Sequence, residues 1–145
     1  MILKNTGWQL LAYSEKITIK IQKISEYIKI VSSLKQDCLE KFLKDPVYRG
    51  ALLHYLYLIS DSSISVAEMI IKERGLRTPQ SYTEAFDILG QNNIIPPEFA
   101  YGFAKIASFR NFLAHDYEDV NYLTICKEVL DKMPEVEEFL RYLEV

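Results

Sequence analysis

The residues best suited to chemistry lie together in Arg110-Asn111-Phe112-Leu113-Ala114-His115-Asp116-Tyr117. The chain has only two histidines. His54 sits among Leu52, Leu53, Tyr55 and Leu56 and reads as an ordinary core or surface helix residue; His115 stands among polar groups of several kinds at the end of an apolar run. Arginine plus histidine is a pairing suited to metal-free cleavage of an RNA phosphodiester. An imidazole titrates near neutrality, so it can take the proton of a 2′-hydroxyl or supply one to the leaving oxygen. An arginine fork stabilises charge on the equatorial phosphate oxygens. Asn111 is suited to orienting the imidazole or donating to the phosphate. Attack by the 2′-hydroxyl gives a cyclic phosphate, and DNA, which lacks that hydroxyl, should resist.

Helical geometry constrains the pair. Residues five apart lie about 140° from one another around an α-helix, whereas Asn111 and His115, four apart, share a face. Arg110 and His115 therefore meet only if the helix ends or distorts near Ala114, or if they converge across a two-fold axis between copies. The plainer alternative pairs Arg110 with Asp116 or Asp119 and leaves His115 merely ending a helix.

The elements that must carry this segment are helical. Ile17, Ile19 and Ile21 alternate as in a strand, but Ile17, Ile21, Ile24, Ile28 and Val31 form a longer stripe at spacings of three and four. The pattern predicts a helix from Trp8 or Ser14 to Leu34, with a possible extension to Leu43. Asp45-Pro46 is an N-cap followed by proline at the first helical position, and opens a helix reaching about Arg74. Gly75 and Pro79 stop it. Ser81-Tyr82-Thr83-Glu84 reads as a capping box for a short helix to about Gln91, and Asn92-Asn93 as a turn. Pro96-Pro97 opens a helix carrying Phe99, Phe103, Ile106 and Leu113, and Pro134 splits or kinks a last series from Val120 to Leu143. The expectation is an all-α, antiparallel bundle of four main helices plus a short connecting one, a single domain over residues 1–145.

Composition agrees with that class. Hydrophobic residues make up 49% and charged residues 26%, with five Gly and five Pro, which suits long helices over many strands. The net charge of -3 excludes a polycation that wraps nucleic acid by charge alone. It divides unevenly, at +3 over residues 1–45, 0 over 46–110 and -6 over 111–145. Cys38 and Cys126, far apart and without a CxxC pairing, are expected to be buried thiols in a reducing compartment. Lys4, Asn5, Gln9, Glu15 and Lys16 interrupt any apolar leader, and no apolar run approaches the roughly 20 residues of a membrane span, so a cytoplasmic protein is expected.

The segment also resembles a known family. Arg110, four residues, His115, one residue and Tyr117 match the signature of HepT-type toxins of the HEPN superfamily. The likeness extends from about Leu43 onward, through Gly75-Leu76 and Pro79-Gln80-Ser81-Tyr82-Thr83-Glu84-Ala85-Phe86, and covers the first helix loosely. The resemblance implies a HEPN-like bundle paired as a homodimer, with the active residues lining a shared cleft. It implies a metal-independent ribonuclease in which Arg110 and His115 act on RNA with Asn111 in support. It also implies that an MNT-type nucleotidyltransferase antitoxin silences the toxin by attaching AMP to Tyr117. ATP and Mg²⁺ would serve that partner, and this chain would need no cofactor of its own. An added anion two residues from His115 would compete with RNA for the phosphate site. The alternative role is a non-catalytic helical substrate-binding or regulatory subunit of a nucleotidyltransferase.

Overall fold

The computed structural model describes residues 13–144, so a helix start at Trp8 lies outside the described residues. Those residues form helices and turns, with no strand among them. The isoleucine ambiguity resolves as helix. Helix α1 (Glu15–Lys35) begins at Ser14, whose hydroxyl accepts the Ile17 amide at 3.4 Å, and buries Ile17, Ile24, Ile28 and Val31 while leaving Ile19 exposed. It stops short of Leu43. The Asp37 amide closes a tightened turn onto the Leu34 carbonyl, which also accepts the Tyr48 hydroxyl, and a separate short helix α2 (Cys38–Lys41) follows.

Helix α3 (Pro46–Glu73) is capped by Asp45, whose carboxylate accepts the Val47 and Tyr48 amides at 3.0 and 3.1 Å. Gly75 ends it at φ 66°, a backbone state only glycine enters without steric cost. α1 and α3 run antiparallel, because the Tyr48 hydroxyl reaches the end of α1 and the Glu73 carboxylate at the end of α3 accepts the Ser14 amide.

Helix α4 (Tyr82–Gln91) starts on Ser81, which accepts the Glu84 amide at 3.1 Å. The reciprocal half of the box is shifted by one residue, since Glu84 reaches back to the Gln80 amide. Arg77 supplies a salt bridge to the same carboxylate at 2.9 Å. These contacts hold the Glu84 carboxyl below its ordinary range, the Arg77 hydrogen bond contributing most and the Gln80 amide next. The turn after α4 passes through Asn93 at φ 55°, as Asn tolerates.

The helix expected from Pro97 through Leu113 is two helices, α5 (Pro97–Phe103) and α6 (Ile106–His115). Three i to i+3 bonds, donated by Lys105, Ala107 and Ser108, tighten the chain at the junction and re-aim α6. The C-terminal series is split as well. Residues Tyr117–Asp119 form one 3₁₀ turn, Thr124–Val129 a π-helical turn and Leu130–Lys132 another 3₁₀ turn, before α7 (Met133–Leu143) opens with Pro134 in its first turn. Phe86 of α4, Phe103 of α5 and Phe139 of α7 join these helices through ring contacts of 4.7 to 5.8 Å. α4 and α5 can approach closely because residue 90 is glycine: a Cβ there would lie 2.8 Å from that of Ala100.

The cysteines correct the reading of two thiols. Cys38 and Cys126 form a disulfide with a Cα–Cα distance of 5.5 Å, fastening α2 to the π-helical turn. Phe42 stacks on Tyr122 at 6.4 Å beside it, and Lys35 pairs with Asp131 at 3.0 Å. Sequence separation of 88 residues conceals the pairing, which arises only because the C-terminal segment folds back across the end of α1 and α2.

Candidate active site

Arg110 is the most tightly held group of the segment. It lies in the middle of α6, its side chain 18% exposed, turned onto α3. Its Nε donates to Asp61 Oδ1 at 3.0 Å, Nη2 to the Tyr57 hydroxyl at 3.1 Å and Nη1 to Asn111 Oδ1 at 3.2 Å. The guanidinium also lies over the Tyr57 ring at 5.3 Å and the Tyr82 ring at 5.2 Å. Burial by itself would lower its pKa. The Asp61 hydrogen bond, with smaller electrostatic contributions from Tyr57, Tyr82 and Asp61, more than reverses this and raises it above the ordinary arginine value. A guanidinium carries five N–H groups in a fixed fork. Three are engaged by these partners, so two remain for an anion.

The plainer alternative, a pairing of Arg110 with Asp116 or Asp119, does not form; the arginine pairs with Asp61, 49 residues earlier. Sequence reading missed Asp61 and Tyr57. They stand four apart on α3, so they share a face, and α6 lies across it. The available signal was an acidic residue within Ser60-Asp61-Ser62-Ser63, a polar interruption of an otherwise apolar helix. Ser60 and Ser63 are buried and return their hydroxyls to the Leu56 and Ile59 carbonyls, so Asp61 is the member of that run turned toward another element.

Asn111 is exposed and takes the arginine as its partner. His115 is the last residue of α6 and exposed, with Asp116 as the C-cap. The helix stays regular through Ala114, so Arg110 and His115 keep their angular separation, and no hydrogen bond joins them among the described residues. Of the two routes to convergence, distortion of the helix is absent. Tyr117 opens the 3₁₀ turn that follows, two residues beyond His115.

The clamp makes a stability prediction. Asp61→Ala strands a mostly covered guanidinium and should lower the unfolding free energy by about 1–2 kcal/mol, well under the cost for a fully buried pair because Asp61 is 43% exposed. In an Arg110→Ala background the same change should cost almost nothing. Urea denaturation of the four proteins of this cycle measures the coupling, and equal costs in both backgrounds would show that the clamp contributes no energy.

Residues 24–143 match the family described as "Ribonuclease HepT-like". The mRNA nuclease HepT of Shewanella oneidensis is 26% identical over 121 residues, covering 83% of this chain and 90% of that protein. The tRNA nuclease HepT of Aphanizomenon flos-aquae is 28% identical over 107 residues, covering 72% and 71%. A solved structure described as a tri-AMPylated Shewanella oneidensis HEPN toxin in complex with MNT antitoxin superimposes with a TM-score of 0.79 at 26% identity, covering 90% of this chain and 98% of that one.

Proposed function

The chain belongs to the ribonuclease HepT-like family, and from that membership we propose that it is the toxin of a toxin–antitoxin pair, an endoribonuclease that works without a metal ion. The observation that carries the reading is the Arg110 clamp: Asp61, Tyr57 and Asn111 fix the fork before substrate arrives and leave two N–H groups to receive a phosphate. His115, exposed one and a half turns further on, supplies the proton chemistry.

In this mechanism the 2′-oxygen bonds to phosphorus as the bond to the 5′-oxygen breaks. The proton of the 2′-hydroxyl passes to the neutral His115 of one copy, and the leaving 5′-oxygen on the opposite side of the phosphorus receives a proton from the protonated His115 of the other. The products are a 2′,3′-cyclic phosphate and a 5′-hydroxyl end. Arg110 neutralises the charge that gathers on the two remaining phosphate oxygens. Convergence of Arg110 and His115 is assigned to a homodimer, in which one copy's α6 faces the other's. Cleavage should persist in excess chelator, and a 2′-deoxy substitution at the cut site should stop it.

Silencing is assigned to an MNT-type nucleotidyltransferase that uses ATP and Mg²⁺. The Tyr117 oxygen bonds to the α-phosphorus of ATP, pyrophosphate leaves and the phenolic proton is released. Support comes from the position of Tyr117 in the turn directly after His115 and from the AMP groups carried by the Shewanella toxin. Co-production with such a partner should add the mass of one or more AMP groups to the chain, and Tyr117→Phe should abolish the addition and restore growth arrest. Intact-mass measurement with peptide mapping reads the result; AMP on another residue would reject Tyr117. Partner binding with no RNA turnover, unchanged by Arg110→Ala, would instead establish the non-catalytic subunit role.

A further inference from the structure

A groove of about 800 Å³ opens along the first half of α3, between it and the end of α6. Its volume is within the range of small-molecule sites, about 300–1,000 Å³. Arg49, His54 and Tyr57 line it from α3, with Leu113 at the α6 side and Glu118 on the turn beyond. Tyr57 connects the groove to the clamp, because the same side chain that lines it receives Arg110 Nη2 at 3.1 Å. A phosphate on Arg110 would therefore have its neighbouring nucleoside at the mouth of this groove.

The groove has a polarity. Arg49 keeps one donor on the Phe42 carbonyl at 2.9 Å, which fixes the side chain while its charge remains on the α3 wall. His54, exposed and set edge-on to Tyr55 at 5.6 Å, also lines the groove from α3, five residues further along the helix. Glu118 carries negative charge on the opposite wall. A second phosphate is favoured near Arg49 and disfavoured near Glu118, where the amino-bearing edge of a base would be accepted instead. An apolar floor with an aromatic ring is the surface on which single-stranded bases are held with little sequence preference.

We infer that this groove is a subsite for single-stranded RNA, holding the nucleoside next to the scissile phosphate, with Arg49 and His54 on the following phosphate. The inference rests on the ribonuclease reading for its orientation, but its test does not require cleavage. It also answers the acidic character of residues 111–145, since the positive groups come from α3 and not from the C-terminal segment.

The test measures affinity for a 2′-O-methyl RNA oligonucleotide, which has no free nucleophile. Arg49→Ala should weaken binding roughly tenfold, as loss of one charge-assisted contact does. It should also reduce the slope of log affinity against log salt by about 0.7, the value for one phosphate on a single strand. His54→Ala should weaken binding in the same direction. Gly50→Leu is the second variant. Gly50 lines the groove and has nothing within 4 Å of an added Cβ, so leucine should fill the space without disturbing α3. It should lose binding by tenfold or more with the melting temperature unchanged or raised. On unmodified RNA the variants should raise KM and leave kcat near that of the parent.

Parental affinity and salt slope in all three variants would overturn the groove assignment even if RNA is cut. Loss of binding in Gly50→Leu when the parent cuts no RNA would keep the groove and remove the ribonuclease reading. If the variants instead change the solution mass by light scattering and leave RNA affinity alone, the groove is a face between copies and the inference fails.

Discussion

Replacing Arg110 by alanine is expected to slow RNA cleavage by about 10²–10³-fold, the cost of removing one preorganised donor group from a developing anion. Arg110→Lys should recover little. A lysine has three donors on one nitrogen and no planar fork, so it cannot hold Asp61, Tyr57 and Asn111 and still offer donors to a phosphate. His115→Ala should cost about 10²–10⁴-fold through loss of proton transfer. The two variants should differ in a second measurement. His115 is exposed at the end of α6, so its removal should leave the melting temperature nearly unchanged. Arg110→Ala should lower it, because Asp61 loses its partner. Single-turnover cleavage of a labelled RNA, together with thermal unfolding, separates catalytic loss from structural loss. Full activity in either variant would remove that residue from the mechanism.

The second large effect is on stability. Reducing the Cys38–Cys126 bond releases a loop spanning 88 residues, and the chain-entropy treatment puts the loss at about 4–5 kcal/mol. For a domain of this size that is a fall in melting temperature on the order of 10 °C or more. A reducing agent should produce the drop in the parent and none in a Cys38→Ser, Cys126→Ser double variant, which should start at the lower value. A parent that melts identically with and without reductant would show that the bond contributes no stability. The released loop contains α3, α4, α5 and α6, so the bond encloses every residue of the Arg110 clamp.

The amino-acid sequence by itself determined most of the local structure, because the relevant forces act between near neighbours. Three-and-four spacing made α1 a helix, Asp45-Pro46 and Gly75 bounded α3, and Ser81 began α4, each through contacts within a few residues. It also singled out the Arg110 to Tyr117 segment, since residue type and spacing are local properties. Helical angle alone set Arg110 and His115 apart unless the helix ended or distorted near Ala114 or two copies met, and α6 runs undistorted to its end at His115. Other features depended on which elements meet. The two-helix division at Lys105 aims α6 across α3, and only that crossing brings Asp61 and Tyr57 to Arg110 from about fifty residues away. The disulfide needed the C-terminal segment to fold back on α2. The groove needed α3 and the end of α6 to lie apart at one end and in contact at the other. Long-range pairing of this kind follows from burial of faces against one another, which a one-dimensional pattern of residues does not specify.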